Sequence, residues 1–505
     1  MSTLKKNIIA NFSGKGWAAI MNLIFVPLYI KFMGIESYGL VGIFSSLLSI
    51  FGLLDMGIST TLNREMARLS TLPGKDQEMR DFVRTLETIY WAVGLFIALA
   101  VIALSSPIAN HWVHPEKLSP STVQKAIIIM GCIIAFQWPL RFYSGGLMGL
   151  QKQVLFNVID IVAATLRGAG SVFILWKISP TIQAFFIWQI IISFFQTLTT
   201  AIFLWKSLPK TGYFSRFQKK LLLPVWRFSA GLTGISVVSL ILTQTDKIIL
   251  SRMLSLEMFG YYTLAIAVSH VLYNFYGPVY TAVFPRFCQL ISVSDYSELK
   301  ALYHKSCQLL SVMVLPSAVV ICLFSQAIMF LWTGNHLIVS NTQYLISVLV
   351  IGTALNGLMQ LPAGLMYADG WTKLSFYTDL IGVVILIPMM IFLVNHYGAI
   401  GAAVSWLILN FGYVSIIIHI MHTRLLKNDK WRWYFIDVGV PLVGALTVAF
   451  IWRIFIPDGM SRYAMFAYLS GASITTLILS AILTPYTRSL IAQILLKFKL
   501  PSFAM

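Results

Sequence analysis

The chain has 505 residues, of which 58% are hydrophobic and 11% charged, where soluble domains carry about 25% charged residues. So little charge cannot clothe a folded chain in polar surface, which excludes a water-soluble globular enzyme and makes lipid the solvent. The net charge of +18 would suggest nucleic-acid binding in a soluble protein; here the basic residues cluster between apolar runs, and no zinc knuckle, basic helix or aromatic RNA-binding sheet is present, so no nucleic-acid partner is expected.

A helix needs about 20 mostly apolar residues to cross a bilayer. Fourteen stretches meet this, at about 9–31, 38–60, 84–107, 123–148, 154–176, 181–205, 225–250, 259–284, 307–332, 342–367, 374–395, 398–421, 434–456 and 463–484. They predict an all-α integral membrane protein with about 14 transmembrane helices. The first, fourth, seventh and eighth stretches are the more polar ones. Lys5 and Lys6 precede the first, which Asn11, Lys15 and Asn22 interrupt; no small-residue cleavage site follows, so it reads as a retained span rather than a signal peptide. Most of the 36 Lys and Arg fall on one side: Lys5 and Lys6, Arg64 to Arg84, Lys206 to Arg227, Arg286 to Lys305, Arg424 to Arg432, and Arg488 to Lys499. The bias places both termini in the cytoplasm. In the tail, Leu490, Ile491, Ile494, Leu495 and Phe498 share one helical face beside Lys497 and Lys499, a pattern suited to an anionic membrane surface. Cys132, Cys288, Cys307 and Cys322 lie in or beside apolar runs and read as packing residues.

The chain repeats itself. Glu36, Tyr38 and Gly39 recur as Glu257, Phe259 and Gly260. Arg64 recurs as Arg286, Gly146-Leu147-Met148 as Gly364-Leu365-Met366, Asp160 as Asp379, and Trp188 as Trp406. The matches run in chain order at a nearly constant offset. They predict two six-helix repeats in the same orientation, a transporter plan that places the substrate between the halves. The expected organisation is a first lobe at 1–206, a cytoplasmic linker at 207–224, a second lobe at 225–424, two added helices at 434–484 and an amphipathic cytoplasmic tail at 485–505.

Further along, Gln244 to Ala265 (QTDKIILSRMLSLEMFGYYTLA) resembles the seventh-span signature of bacterial oligosaccharide flippases. Asn11-Phe12-Ser13 with Gly34 to Gly39, Val283 to Phe287, Tyr303-His304-Lys305, and Gly398 to Ala403 are also similar to that family, the polysaccharide-exporting branch of the multidrug/oligosaccharidyl-lipid/polysaccharide exporter superfamily. The resemblance covers most of the first twelve spans. It implies two six-helix lobes facing each other in a V, in a bacterial cytoplasmic (inner) membrane. It also implies alternating access and no enzymatic step. The implied cargo is an undecaprenyl-pyrophosphate-linked oligosaccharide, moved to the outer leaflet for O-antigen, capsule or exopolysaccharide assembly. Membrane lipids, a polysaccharide polymerase and chain-length machinery are the partners that go with such a role.

Eight charged side chains lie within or at the ends of spans: Lys15, Asp55, Arg141, Asp160, Arg167, Asp246, Lys247 and Asp379. A charge at bilayer centre costs roughly 2.5–3.5 kcal/mol on insertion scales, so each marks an interior, a pairing or a wet cavity. Arg167, with Lys15 and Arg141, forms the expected phosphate-binding set, because planar guanidinium donors suit pyrophosphate oxygens. The rival roles are a structural Asp160–Arg167 bridge through another helix, and snorkelling of Lys15. Asp55, Asp160 and Asp379 are candidates for coupling to H⁺ or Na⁺, or for pairing with the arginines. Asp246 and Lys247 suit a gate or a structural role. His270, Asn274, Asn356 and Gln360 could meet sugar hydroxyls, as could Ser236, Ser239 and Thr243, or they could bond helix to helix.

No cofactor is expected. There is no phosphate-binding glycine loop, no HExxH and no nucleophile triad. His111, His114 and Glu116 have a metal-like spacing but read as a solvated loop. A cation-coupled multidrug antiporter is the alternative within the superfamily; an integral-membrane sugar polymerase or ligase is the alternative outside it, and lacks the large outer loop such enzymes need.

Overall fold

The computed structural model describes residues 3–498 except Met56 and Asp458, and the side chains among them except those of 3–9, 12, 223–236 and 494–498. Ser236 of the seventh stretch and Ile494, Leu495, Lys497, Phe498 and Lys499 of the tail face lie outside the described residues, as do Lys5, Lys6, Phe12 and Arg227. Among the described residues the chain is helical, with one isolated bridge between His114 and Ser255. Contacts divide it into two compact units, Met1–Gly260 and Tyr261–Met505.

The first unit holds α1 (Thr3–Ile24), α2 (Val26–Gly52), α3 (Ile58–Leu69), α4 (Asp76–Pro107), α5 (Pro120–Gly149), α6 (Gln153–Lys177), α7 (Ile182–Ser207) and α8 (Leu222–Met253). The chain passes between units within α9 (Leu256–Ser269). The second unit continues with α10 (Tyr273–Ser292), α11 (Tyr296–Leu323), α12 (Ser325–Thr333), α13 (His336–Leu358), α14 (Gln360–Ala368), α15 (Thr372–Tyr397), α16 (Ala399–Gly412), α17 (Ile418–Arg424), α18 (Lys430–Arg432), α19 (Val440–Ile454), α20 (Arg462–Leu483) and α21 (Pro485–Phe498).

Among the described residues, 11 helical segments are long and apolar enough to cross a membrane. They correspond to all the expected spans but the first, seventh and eighth. Those three, among the more polar stretches, form α1, α8 and α9 with α10. The helix ends are written in the sequence. Ser119, Thr181, Asp295, Asn335 and Ser461 cap α5, α7, α11, α13 and α20 with their side chains, each satisfying an orphan N–H. The Glu298 N–H and the Ser297 hydroxyl hold the Asp295 carboxyl below its ordinary value. Gly34, at φ 81° and ψ 162°, breaks α2 internally, a backbone state that costs glycine little and a side-chain-bearing residue much.

A helix pairs most of its backbone groups internally, which is what lets it sit in hydrocarbon. Small residues let the helices approach closely, and larger apolar side chains fill the remaining space between them. Gly145 and Gly149 on α5 face the carbonyls of Ser59 and Asn63 on α3, and a methyl group at Gly145 would sit 2.6 Å from the Ser59 oxygen. In the second unit, Val319, Val320 and Phe324 at the end of α11 pack with Ala445, Ala449, Leu469 and Ala472. That cluster seats α19 and α20, the two added spans, on α11.

The division expected from the repeat falls at 207–224; the division by packing falls after Gly260. The cause is that α8 and the start of α9 pack within the first unit. The Leu256 N–H donates to the His114 carbonyl at 2.9 Å, and Gly39 and Gly260 lie against the carbonyls of Leu256 and Ile35.

Candidate functional site

The first unit carries three polar clusters inside its helical wall. The best connected joins α6 and α7. Arg167 Nη2 donates to Gln196 Oε1 at 2.6 Å and to Ser193 Oγ at 3.3 Å, and Gln196 Nε2 donates to Asp160 Oδ1 at 3.0 Å. Gln137 of α5 donates to the same Ser193 hydroxyl at 3.0 Å. Gln196 thus relays between the two charges, using its acceptor on the arginine and its donor on the carboxylate. The structure brings Asp160 and Arg167 together through a third side chain, the bridging role weighed against cargo contact. Arg167 Nε has no partner among the described residues.

The second cluster surrounds Asp55, which ends the short turn after α2 and is buried. Its carboxylate accepts from Tyr90 Oη, and from Ser59 Oγ at 2.8 Å. Tyr90 packs on Trp138 at 4.4 Å and Phe142 at 5.0 Å between ring centroids, and Trp138 Nε1 donates to the Phe51 carbonyl at 3.1 Å. Arg141, one turn further along α5, lies over Gly52, where no side chain competes for the space. Arg141 is exposed, and no hydrogen bond or ion pair engages its guanidinium among the described residues. Lys15 on α1 is exposed in the same way, while its neighbour Asn11 accepts from Asn157 Nδ2 of α6 at 2.6 Å. No contact links the three cations to one another. Two stand open, and the third is held in the α6–α7 wall.

Glu36 and Glu257, the repeat-related pair, converge on one loop. Glu36 is buried, and its carboxylate accepts from the N–H groups of Glu116, Lys117 and Leu118 at 2.6, 3.0 and 3.2 Å. Glu257 pairs with Lys117 Nζ at 2.5 Å, which raises the lysine above its ordinary value. His111 lies in the wide helical turn Ile108–Trp112, and His114 and Glu116 lie in the segment that follows it. Lys247 Nζ donates to Gln244 Oε1 at 3.2 Å, one helical turn back, and Asp246 sits half-buried beside it.

In the second unit, Asn356 Nδ2 donates to Asn410 Oδ1 at 2.9 Å and Gln360 Nε2 to Asn356 Oδ1 at 3.4 Å. These two expected sugar contacts are engaged helix to helix, binding α13 and α14 to α16. His270 and Asn274 are exposed at the turn between α9 and α10, with His270 stacked on Tyr273 at 4.6 Å. Asp379 on α15 lies beside Tyr413, and no ion pair reaches it among the described residues.

Two carboxylates inside expected spans escaped the sequence reading. Glu87 on α4 is buried and accepts from Tyr143 Oη at 2.7 Å, Trp205 Nε1 at 3.0 Å and Arg84 Nη1 at 2.9 Å. Asp437, in the wide helical turn before α19, is fully buried; it lies 2.5 Å from His304 Nδ1 and accepts from Gln308 Nε2 at 2.8 Å. Gln308 Oε1 in turn accepts from the Tyr486 N–H at 2.9 Å, tying α21 to α11. The signal was available in both cases: a carboxylate within the bounds of an expected span, and at Asp437 one between apolar neighbours.

Comparison with known proteins fits this arrangement. A Shigella flexneri protein named as an O-antigen transporter is 24% identical over 405 residues, 79% of this chain and 93% of that one. The Escherichia coli K12 lipopolysaccharide biosynthesis protein WzxC is 22% identical over 468 residues, 87% of this chain and 86% of its own. Among solved structures, the lipid II flippase MurJ in an inward closed conformation superposes with a TM-score of 0.73 at 17% identity, covering 96% of this chain and 99% of that one. An inward-facing multidrug MATE transporter follows at 0.62 and 12%, covering 81% and 96%. These likenesses show the transporter fold expected from the repeat. Residues 4–291, more than half of the chain, match the family described as Polysaccharide biosynthesis protein, and the chain belongs to that family.

Proposed function

We propose that this chain is a flippase that carries a lipid-linked oligosaccharide across the bacterial inner membrane for polysaccharide or O-antigen assembly. The family and the names of its relatives support a transporter of this pathway and not a sugar polymerase or ligase. The observation that carries the chemistry is the pair of exposed cations, Arg141 and Lys15, which no hydrogen bond or ion pair engages among the described residues while the other intramembrane charges of the unit's helices are held by protein partners. Two such charges persist in a membrane segment where water or an anion reaches them. A pyrophosphate supplies that anion, and arginine binds two of its oxygens at once.

In this reading Arg141 and Lys15 hold the pyrophosphate of an undecaprenyl carrier. The exposed His270 and Asn274 are the second unit's candidates for sugar hydroxyls, and transport proceeds by alternating access. Arg167 braces the α6–α7 wall on which the phosphate contacts depend. Asp55 and Asp379 stay as the carboxylates available for H⁺ or Na⁺ coupling. The multidrug reading has fold similarity alone behind it.

The test is Arg141→Ala in cells whose surface polysaccharide depends on this chain. The expected outcome is loss of surface polysaccharide and accumulation of lipid-linked oligosaccharide, at unchanged membrane abundance, with partial recovery in Arg141→Lys. Wild-type levels of surface polysaccharide in Arg141→Ala would remove the assignment.

A further inference from the structure

A second site lies in the first unit, away from Arg141 and Lys15. It is a groove of about 690 Å³ between α4, α5 and α7 at their basic ends. Its apolar wall is formed by Phe194, Leu198 and Ile202 of α7, all exposed. Three cations stand at its mouth: Arg80, Lys206 and Lys210. Lys206 and Lys210 are exposed and make no hydrogen bond or ion pair among the described residues.

The groove is a built feature and more than a run of surface lysines. Arg80 is fixed from two sides, its guanidinium carbon 5.3 Å from the centroid of the Trp205 ring and its Nη1 donating to the Pro209 carbonyl at 3.0 Å. Trp205 is itself oriented by the indole N–H it gives to Glu87 at 3.0 Å. The Glu87 charge is met by Arg84 at 2.9 Å, so the groove keeps a positive balance.

We propose that this groove binds one anionic diacyl phospholipid. Its phosphate sits among Arg80, Lys206 and Lys210, and one acyl chain lies along the α7 wall. Basic residues beside an apolar wall at a membrane interface suit a phosphate head with a hydrocarbon tail.

The groove's uncharged polar groups bear on the choice between a resident lipid and the sugar-bearing cargo. Thr197 donates to the Phe136 carbonyl at 2.8 Å, Tyr143 to Glu87, and Trp91 to Tyr143 Oη at 2.9 Å. All three donors are spent within the protein, so what the groove offers a ligand is its charged donors, a set that suits a phosphate head. The proposed occupant is a resident phospholipid, and competition with a polyprenyl pyrophosphate is the arm of the test that separates it from the transported molecule.

The experiment is native mass spectrometry of the full chain in detergent with phosphatidylglycerol, phosphatidylethanolamine or a polyprenyl pyrophosphate added. Wild type should retain one phosphatidylglycerol per chain in preference to phosphatidylethanolamine. In the Lys206→Gln/Lys210→Gln variant the phosphatidylglycerol affinity should fall roughly thirtyfold, the loss expected for two basic contacts to an anionic head. Leu198→Trp, which fills the wall, should weaken both phospholipids while leaving the thermal unfolding midpoint in place. Equal retention of the two phospholipids by wild type, or an unchanged affinity in the lysine variant, overturns the proposal. So does displacement of phosphatidylglycerol by equimolar polyprenyl pyrophosphate. None of these readouts depends on export, so loss of the flippase assignment and loss of this site are separate results.

Discussion

Arg167 and Arg141 carry the same charge on neighbouring helices of one unit, and their surroundings give them different work. Arg167 has Gln196, Ser193 and, through Gln196, Asp160; Arg141 has the bare surface of Gly52. The network is half-buried, so removing one member and leaving the other uncompensated costs less than the roughly 3–5 kcal/mol of a fully buried pair. Arg167→Met should therefore lower the thermal unfolding midpoint and membrane abundance, and adding Asp160→Asn should recover most of that loss. A double variant no more stable than Arg167→Met alone would show that the two charges are not coupled. Arg141→Ala should leave stability nearly unchanged while export is lost. From sequence the two arginines were indistinguishable, because a seven-residue spacing from Asp160 says which face Arg167 occupies and nothing of what α7 presents to it.

At the scale of elements, small residues and buried carboxylates set how the helices meet. Gly145 and Gly149 let α5 touch the α3 backbone, so Gly145→Val should force the pair apart at about 1–3 kcal/mol, measurable as a lowered unfolding midpoint; an unchanged midpoint would mean the helices are free to shift. Glu36 serves three N–H groups of the loop before α5. Glu36→Gln replaces charge-assisted bonds with neutral ones, at about 1.5–3 kcal/mol, and should speed amide hydrogen exchange at residues 116–118. Exchange at wild-type rates there would show the loop is held by other means. Glu36 and Glu257 were legible in the sequence as repeat partners. That both fasten the same loop was not, since the repeat relates Glu257 to Glu36 by position and says nothing of its reaching a loop of the other copy.

For the whole molecule, the two added spans are fastened at both ends of α11. Phe324, 1% exposed, packs with Ala445 and Ala472 near one end, and His304, Gln308 and Asp437 bind the other. Phe324→Ala should cost roughly 3–5 kcal/mol, read as easier proteolysis between α19 and α20. Resistance equal to wild type would mean that this cluster does not seat the two helices. The basic-residue bias predicts that both ends of the chain face the cytoplasm. A fluorescent reporter fused to the C-terminus should glow and a periplasm-dependent phosphatase there should stay inactive; the opposite pattern would invert every leaflet named above.

The sequence alone determined the helical membrane architecture, the repeat and the family. These follow from apolar run length, from the need of each span to satisfy its own backbone, and from motifs that survive as strings of residues. Tertiary structure alone decided which intramembrane charges stand open and which are spent, that α8 packs with the first unit, and that Glu87 and Asp437 organise sites of their own. Those outcomes depend on what a neighbouring helix places within about 3 Å of a polar atom, the range of a hydrogen bond, and helical periodicity carries no record of its neighbours.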